Sequence, residues 1–130
     1  MRWAFQESDE KPDSPEGKGK AEHDLRDVLA RPIRCALCEH VVTAEDHRIE
    51  RHGAHEHTFT NPGGWTFDIA CFAHAPGCVV RGAPTFENTW FPGFAWSYAH
   101  CARCDEHLGW CYDGDGSFFG LIRDKIVRTH

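Results

Sequence analysis

Two short cysteine pairs, Cys35-Ala36-Leu37-Cys38 and Cys101-Ala102-Arg103-Cys104, lie far apart in a chain of 130 residues. The two-residue spacing within each pair lets a tight turn aim both sulfurs at one ion. Four thiolates close a tetrahedron around zinc and leave no open position, which marks a structural rather than a catalytic metal. One structural Zn2+ held by Cys35, Cys38, Cys101 and Cys104 is therefore the expectation. It requires the start of the domain to fold back onto its C-terminal half. Two unrelated turns, or one redox pair of thioredoxin type, are the alternatives. The total of seven cysteines is odd, which suits metal ligation in a reducing compartment better than a disulfide framework.

The rest of the composition narrows the class. The chain is long enough for one modest core and short enough to benefit from a staple. Its formal net charge of −6 argues against sequence-independent binding of nucleic acid, which needs an excess of lysine and arginine. No apolar run reaches membrane-spanning length. The opening MRWAFQESDE meets acidic residues before a signal-type apolar core can form. A soluble, cytoplasmic protein is expected, and a monomer. Residues 2–20 are mostly Glu, Asp, Lys, Pro, Gly and Ser, too polar to offset their ordering entropy, and are expected to be disordered. Ala21 to Leu29 suits a short helix with Leu25, Val28 and Leu29 on one face, ended by Pro32. The tail is thus assigned to residues 1–30 and the domain to 31–130.

Strand signals dominate that domain. Thr66 to Ala73 alternates Phe67, Ile69 and Cys71 against Asp68. Phe94 to His100 puts Trp96 and Tyr98 on one face. His107 to Tyr112 is expected to place Leu108, Trp110 and Tyr112 on a common face, with Cys111 pointing away. Ser117 to Ile122 reads as a last strand, joined to its predecessor through the turn Asp113-Gly114-Asp115-Gly116. A short helix from Arg123 is a weaker expectation. The fold class is mainly β and antiparallel, with long loops.

Three tryptophans near the second cysteine pair carry the chemistry. Trp90 and Trp96 bracket the segment TWFPGFAW, and Trp110 sits in LGWCY. Each indole offers a broad π face and one N–H donor, so three converging on one point build a box for a cation or a thin planar ligand. Core packing is the competing account of such large aromatics. Cys71, His74 and Cys78 are read as buried packing, and His52, His55 and His57 as a solvated loop without an HExxH metal motif.

Taken in order, CxxC, NPxG, TWFPGFAW, HCxxC, HLGWCY and FFGL resemble the CULT domain family, the thalidomide-binding domain type of cereblon and its stand-alone bacterial relatives. The resemblance covers roughly Ile33 to Val127. It implies a β-tent, two antiparallel sheets pinned by a structural zinc, and a three-tryptophan pocket that receives a cyclic imide such as glutarimide. Carried over by residue, the resemblance makes Cys35, Cys38, Cys101 and Cys104 the zinc ligands. Trp90, Trp96 and Trp110 become the cage walls, with Tyr112 completing the aromatic rim. Asn61 and Pro62 match a loop that approaches the ligand. Phe86 to Trp90 matches a strand whose backbone pairs with the imide, so Phe86 and Asn88 join the site. Asn88 stands where the family's cereblon members carry histidine, so only backbone contacts carry over there. A chain of this length is expected to lack the Lon-like domain, and with it a ubiquitin-ligase receptor role.

The expected function is reversible binding of cyclic imides, uracil-like rings or the C-terminal cyclic imide of a peptide, without catalysis. Two alternatives stand beside it. One is an aromatic-cage reader of methylated lysine or another quaternary ammonium, driven by cation–π attraction, with Glu87 and Asp113 as the nearest acids. The other is an enzyme resembling methionine sulfoxide reductase B, for which Cys111 is the only candidate nucleophile near the cage. No histidine is followed two residues later by glutamate, which removes the zinc-deaminase pattern.

Overall fold

Side chains that alternate apolar and polar along an extended chain can bury one face of a sheet. Continuously apolar runs need cover on both faces. Both patterns occur in the computed structural model, which describes residues 31–128. The expected tail and its short helix lie outside the described residues. Among the described residues there are β1 (Pro32–Cys35), β2 (Val41–Ala44), β3 (Glu56–Thr60), β4 (Thr66–Phe72) and β5 (Cys78–Thr85). They are followed by β6 (Ala95–Cys101), β7 (His107–Gly114), β8 (Gly116–Ile122) and β9 (Ile126–Arg128). The strands form two antiparallel sheets, a small one in the order β2-β1-β9 and a large one in the order β3-β4-β8-β7-β6-β5. The fold is the mainly β, two-sheet architecture expected of a β-tent.

The large sheet has a core on each face. Ala70, Phe72, Leu108 and Leu121 pack with Ile33, Val42 and Ile126 of the small sheet around Cys35 and Cys101. Ile69, Cys71, Phe118 and Ile122 face the other way, into a cluster with Phe91, Trp110 and Tyr112. Cross-strand register explains the split: Ala70 lies opposite Leu121, while Ile69 lies opposite Ile122. The end of β4 is therefore buried on both sides, and its sequence IACF is apolar without interruption.

One expectation about β7 is corrected by a bulge. Ala99 pairs with Gly109, but His100 pairs with His107, so Leu108 is an extra residue in β7. Leu108 turns to the metal-side core, and Trp110 and Tyr112 belong to the aromatic cluster on the opposite face. The bulge instead aligns His107 with Trp110. Gly109 makes it possible, because a Cβ there would lie 2.1 Å from the Gly120 carbonyl oxygen.

Other sequence expectations shift in informative ways. β5, which has no counterpart among the strands expected from the sequence, contains Gly82 and Pro84. It is the edge strand of the large sheet, and its pairing slips between Arg81 and Thr85, where both residues are tolerated. The helix expected from Arg123 is a 3₁₀ turn over Arg123–Lys125. His74 is exposed, whereas Cys71 is buried and Cys78 half-buried. The solvated loop expected around His52, His55 and His57 is not one: His52 is exposed, but His55 is buried and His57 begins to stack on Phe59 within β3.

His55 belongs to a clasp between the sheets. Arg128 of β9 donates from Nε and Nη2 to the two carboxylate oxygens of Glu45, at 2.8 and 2.6 Å. Arg128 Nη2 also lies 3.0 Å from His55 Nε2. A guanidinium only donates, so His55 Nε2 accepts and its proton sits on Nδ1, which donates to the Ile49 carbonyl at 3.0 Å. Burial, then the Arg128 and Arg48 charges, hold the His55 pKa below the usual histidine value against the Ile49 hydrogen bond. A histidine with a depressed folded pKa contributes stability above its unfolded pKa, about 6.5, that is lost as pH falls towards the folded value. The melting temperature should therefore fall between pH 7 and 5, and His55→Gln should flatten that slope in thermal melts across the range. An unchanged slope would remove His55 from the account.

Candidate functional site

The two cysteine pairs form matching knuckles. In the first, the Glu39 N–H donates to the Cys35 carbonyl and the Cys35 N–H to the His40 carbonyl, both at 2.8 Å. In the second, the Asp105 N–H donates to the Cys101 carbonyl at 2.9 Å and the Cys101 N–H to the Glu106 carbonyl at 2.8 Å. Each knuckle closes through a left-handed acidic residue, Glu39 at φ 69° and Asp105 at φ 67°. Cys35 ends β1 in the small sheet and Cys101 ends β6 in the large one.

The four sulfurs lie within 4.8 Å of one another. Cys35 Sγ is 3.7 Å from Cys104 Sγ, and Cys38 Sγ is 3.6 Å from Cys101 Sγ. A tetrahedron of sulfurs about 2.3 Å from a central zinc has edges of about 3.8 Å, so the donor set fits one Zn2+. Cys35, Cys38, Cys101 and Cys104 would hold it, supplying a closed structural centre that joins the sheets. Lys125, whose carbonyl accepts from the Ala36 N–H at 2.9 Å, reaches Glu106 Oε2 at 2.6 Å and links the knuckles again.

The remaining thiols are inert by environment. Burial pushes the Cys71 thiol up to about 11. Burial and then the Asp113 carboxylate push Cys111 up to about 12. Cys78, beside Cys101, is raised too, first by burial. An activated nucleophile needs the opposite shift. Cys111 also pairs with Phe119 and Ser97, on the face of β7 away from Trp110 and Tyr112, as alternation predicts.

A cavity of about 290 Å³ opens on the aromatic face of the large sheet. Its wall contains Trp90, Trp96, Trp110, Tyr112, Asn61, Pro62 and Asn88, together with Phe67, Tyr98 and His107. Trp90 and Trp110 meet edge to face, with centroids 5.0 Å apart. Phe59 stacks behind Trp90 at 4.9 Å, outside the cavity, and Phe67, itself a wall residue, packs on Trp110 at 5.3 Å, so both indoles are braced. Trp96 packs on Tyr98 and donates its Nε1–H to the Glu87 carbonyl at 2.8 Å, which fixes its ring and spends its one donor.

Two loops form the lip. At the β3–β4 turn, Asn61 Oδ1 accepts from the Trp65 N–H at 2.9 Å, and backbone bonds between Asn61 and Trp65 close the loop. At the other side, Phe86 to Trp90 is a turn and not the strand expected from the family pattern. Its Thr89 N–H donates to the Phe86 carbonyl at 3.2 Å, and Asn88 takes a left-handed φ of 56°, a conformation asparagine tolerates. Thr89 Oγ1 donates to the Phe94 carbonyl at 2.8 Å and holds the following loop. Phe86 is exposed and is not part of the cavity wall.

Phe67, Tyr98 and His107 are the wall residues that the sequence reading left out of the site. Tyr98 was within reach of it, since it shares a strand face with Trp96. His107 was not, because its face depends on the bulge at Leu108.

The arrangement defines a metal-stapled β module with an aromatic ligand pocket. More particularly, the similarity of this chain to cereblon is consistent with a cereblon-like CULT domain. The chain is similar to protein cereblon of Xenopus tropicalis, 34% identical over 74 residues, which cover 52% of this chain and 17% of the relative. Cereblon of Danio rerio is 30% identical over 77 residues, covering 55% and 18%. Cereblon of Drosophila simulans is 28% identical over 101 residues, covering 70% and 16%. The chain thus spans less than a fifth of the length of these relatives. No protein-family model matches the chain. No helix among the described residues is long and apolar enough to cross a membrane.

The metal centre yields a direct expectation. Metal analysis should return one zinc per chain, and stripping it with a strong chelator should lower the melting temperature by at least about 10 °C. Cys101→Ser should do the same, because its sulfur serves both the metal and the core around it. A melt that stays in place after complete zinc removal would show that the sheets hold without the tie.

Proposed function

We propose that the domain reversibly binds neutral cyclic imides in the tryptophan-walled cavity. The observation that carries this reading is the state of the lip. Among the described residues, no hydrogen bond engages the backbone groups of Asn88 or Trp90, while their neighbours in the turn are committed to one another. Donor and acceptor groups are therefore uncommitted on two residues that line the cavity beside the indoles. A cyclic imide presents the complementary edge, one N–H between two carbonyls, on a thin ring whose aliphatic side the indoles desolvate. Pairing that edge matters, since a buried polar group left unpaired costs about 1–3 kcal/mol.

The wall distinguishes this ligand from a quaternary ammonium. Among the described residues no carboxylate lines the cavity: Glu87 reaches Trp96 through its backbone carbonyl. A cation would have only π faces to offset its desolvation. The raised thiols argue against a peroxide or sulfoxide chemistry at Cys111 and for a binding role. Seven free thiols suit a reducing compartment, in keeping with a cytoplasmic site of action.

Titration with glutarimide should quench tryptophan fluorescence saturably, and trimethyllysine should not. Trp90→Ala, Trp96→Ala and Trp110→Ala should each weaken binding by about 30-fold or more, the loss typical of a buried aromatic anchor, with zinc content unchanged. Unaltered affinity in two of the three would return these tryptophans to a packing role. Saturable binding of trimethyllysine alone would favour the reader of methylated lysine.

A further inference from the structure

We infer, on the reading that this cavity takes cyclic imides, that His107 is a specificity-determining acceptor that selects imides bearing an N–H donor on the ring substituent. The ligand class this names is the acylamino-imide, as distinct from the bare ring or a substituent joined through a fully substituted nitrogen.

The geometry begins with register. Trp96 lies opposite Tyr112, Tyr98 opposite Trp110, and His100 opposite His107. Successive same-face pairs are about 6.6 Å apart along a strand. The cavity floor therefore runs from the Tyr112–Trp96 pair, past Trp110 and Tyr98, to His107. The free backbone groups of Asn88 and Trp90 stand at the Trp96 end, where the Glu87 carbonyl takes the Trp96 Nε1–H. An imide whose polar edge is satisfied there directs its remaining bulk along the floor towards His107. At about 290 Å³ the space reaches the low end of pockets that hold drug-sized ligands, more than a bare six-membered ring fills.

The chemistry of His107 is set by one contact. Its Nε2 lies 2.9 Å from the Gly109 carbonyl oxygen, which can only accept, so Nε2 carries the proton. Burial, the largest influence, holds the His107 pKa below the usual histidine value and keeps the ring neutral near pH 7. Nδ1 is then a bare lone pair. It has no hydrogen-bond partner among the described residues, and it is not a fully buried orphan. The ring is held edge-on by Trp110 at 5.2 Å and Tyr98 at 5.5 Å, so it stays in place in the cavity wall. The other side-chain acceptor on the lip, Asn61 Oδ1, already spends one of its two lone pairs on the Trp65 N–H. A neutral, fixed acceptor at the far end of an apolar cavity rewards a ligand N–H and penalises its absence.

The test compares 3-acetamidoglutarimide with its N-methylacetamido analogue by calorimetry on zinc-loaded full chain at pH 7.5. The secondary amide should bind about five- to tenfold more tightly to the wild type, the worth of one hydrogen bond. His107→Phe should reduce that ratio to about one. His107→Gln, whose amide can both donate to Gly109 and offer an acceptor, should keep most of it. Zinc content and a thermal melt verify the fold of each variant. A wild-type ratio near one, or a ratio that survives in His107→Phe, would overturn the assignment to His107 while leaving imide binding intact. If neither imide binds the wild type, the proposed function itself falls, and the role of His107 with it.

Discussion

Four sulfurs at metal-binding separation sit where the two sheets meet, at the centre of the core they share. The small sheet has three short strands, and a sheet of that size cannot bury enough surface to persist alone. It gains its core by lying against the large sheet around Cys35 and Cys101, where Ile33, Val42 and Ile126 meet Phe72, Leu108 and Leu121. Bringing the two distant knuckles together costs loop-closure entropy on folding, and the binding free energy of a tetrathiolate metal would offset that cost. Each knuckle brings its own backbone hydrogen bonds, so the ligands are oriented before the ion arrives.

The same large sheet carries the pocket on its other face. Its two cores alternate along β4, β7 and β8, one residue facing the metal and the next facing the aromatic cluster. The four-cysteine cluster lies at the back of the sheet, and the indoles are mounted on the front. Trp110 is the point of contact between these roles. It sits beside the bulge that sends Leu108 to the metal core, and Gly109 lets β7 come close enough to β8 for the bulge to fit. Phe59 braces Trp90 from behind and Phe67 braces Trp110 from within the wall, so an open cavity persists within a densely packed aromatic cluster. Whatever occupies it meets walls that need little rearrangement.

Residues whose role depends on local spacing were legible from the chain alone. The two CxxC pairs announce their turn geometry, and the period-two pattern of β4, β6 and β8 announces their faces. Residues whose role depends on a register slip were not. His107 and Leu108 exchange faces because of one extra residue in β7. Phe86 falls outside the cavity because the chain turns at Asn88. β5 was hidden because Gly82 and Pro84 are tolerable only on an edge. His55 looked like part of a polar loop, and its burial follows from Arg128, 73 residues further on, arriving beside it.

The sequence by itself determined the metal donor set, the antiparallel β character and the aromatic nature of the site. Those follow from residue chemistry and from spacings of two or three residues, which the local backbone converts directly into direction. Only the tertiary structure decided which wall each aromatic forms, that the described residues of the wall include no carboxylate, and that His107 joins that wall. These depend on strand register and on which loop covers which face. Both are settled by packing between segments distant in the chain, where one inserted residue reverses the outcome.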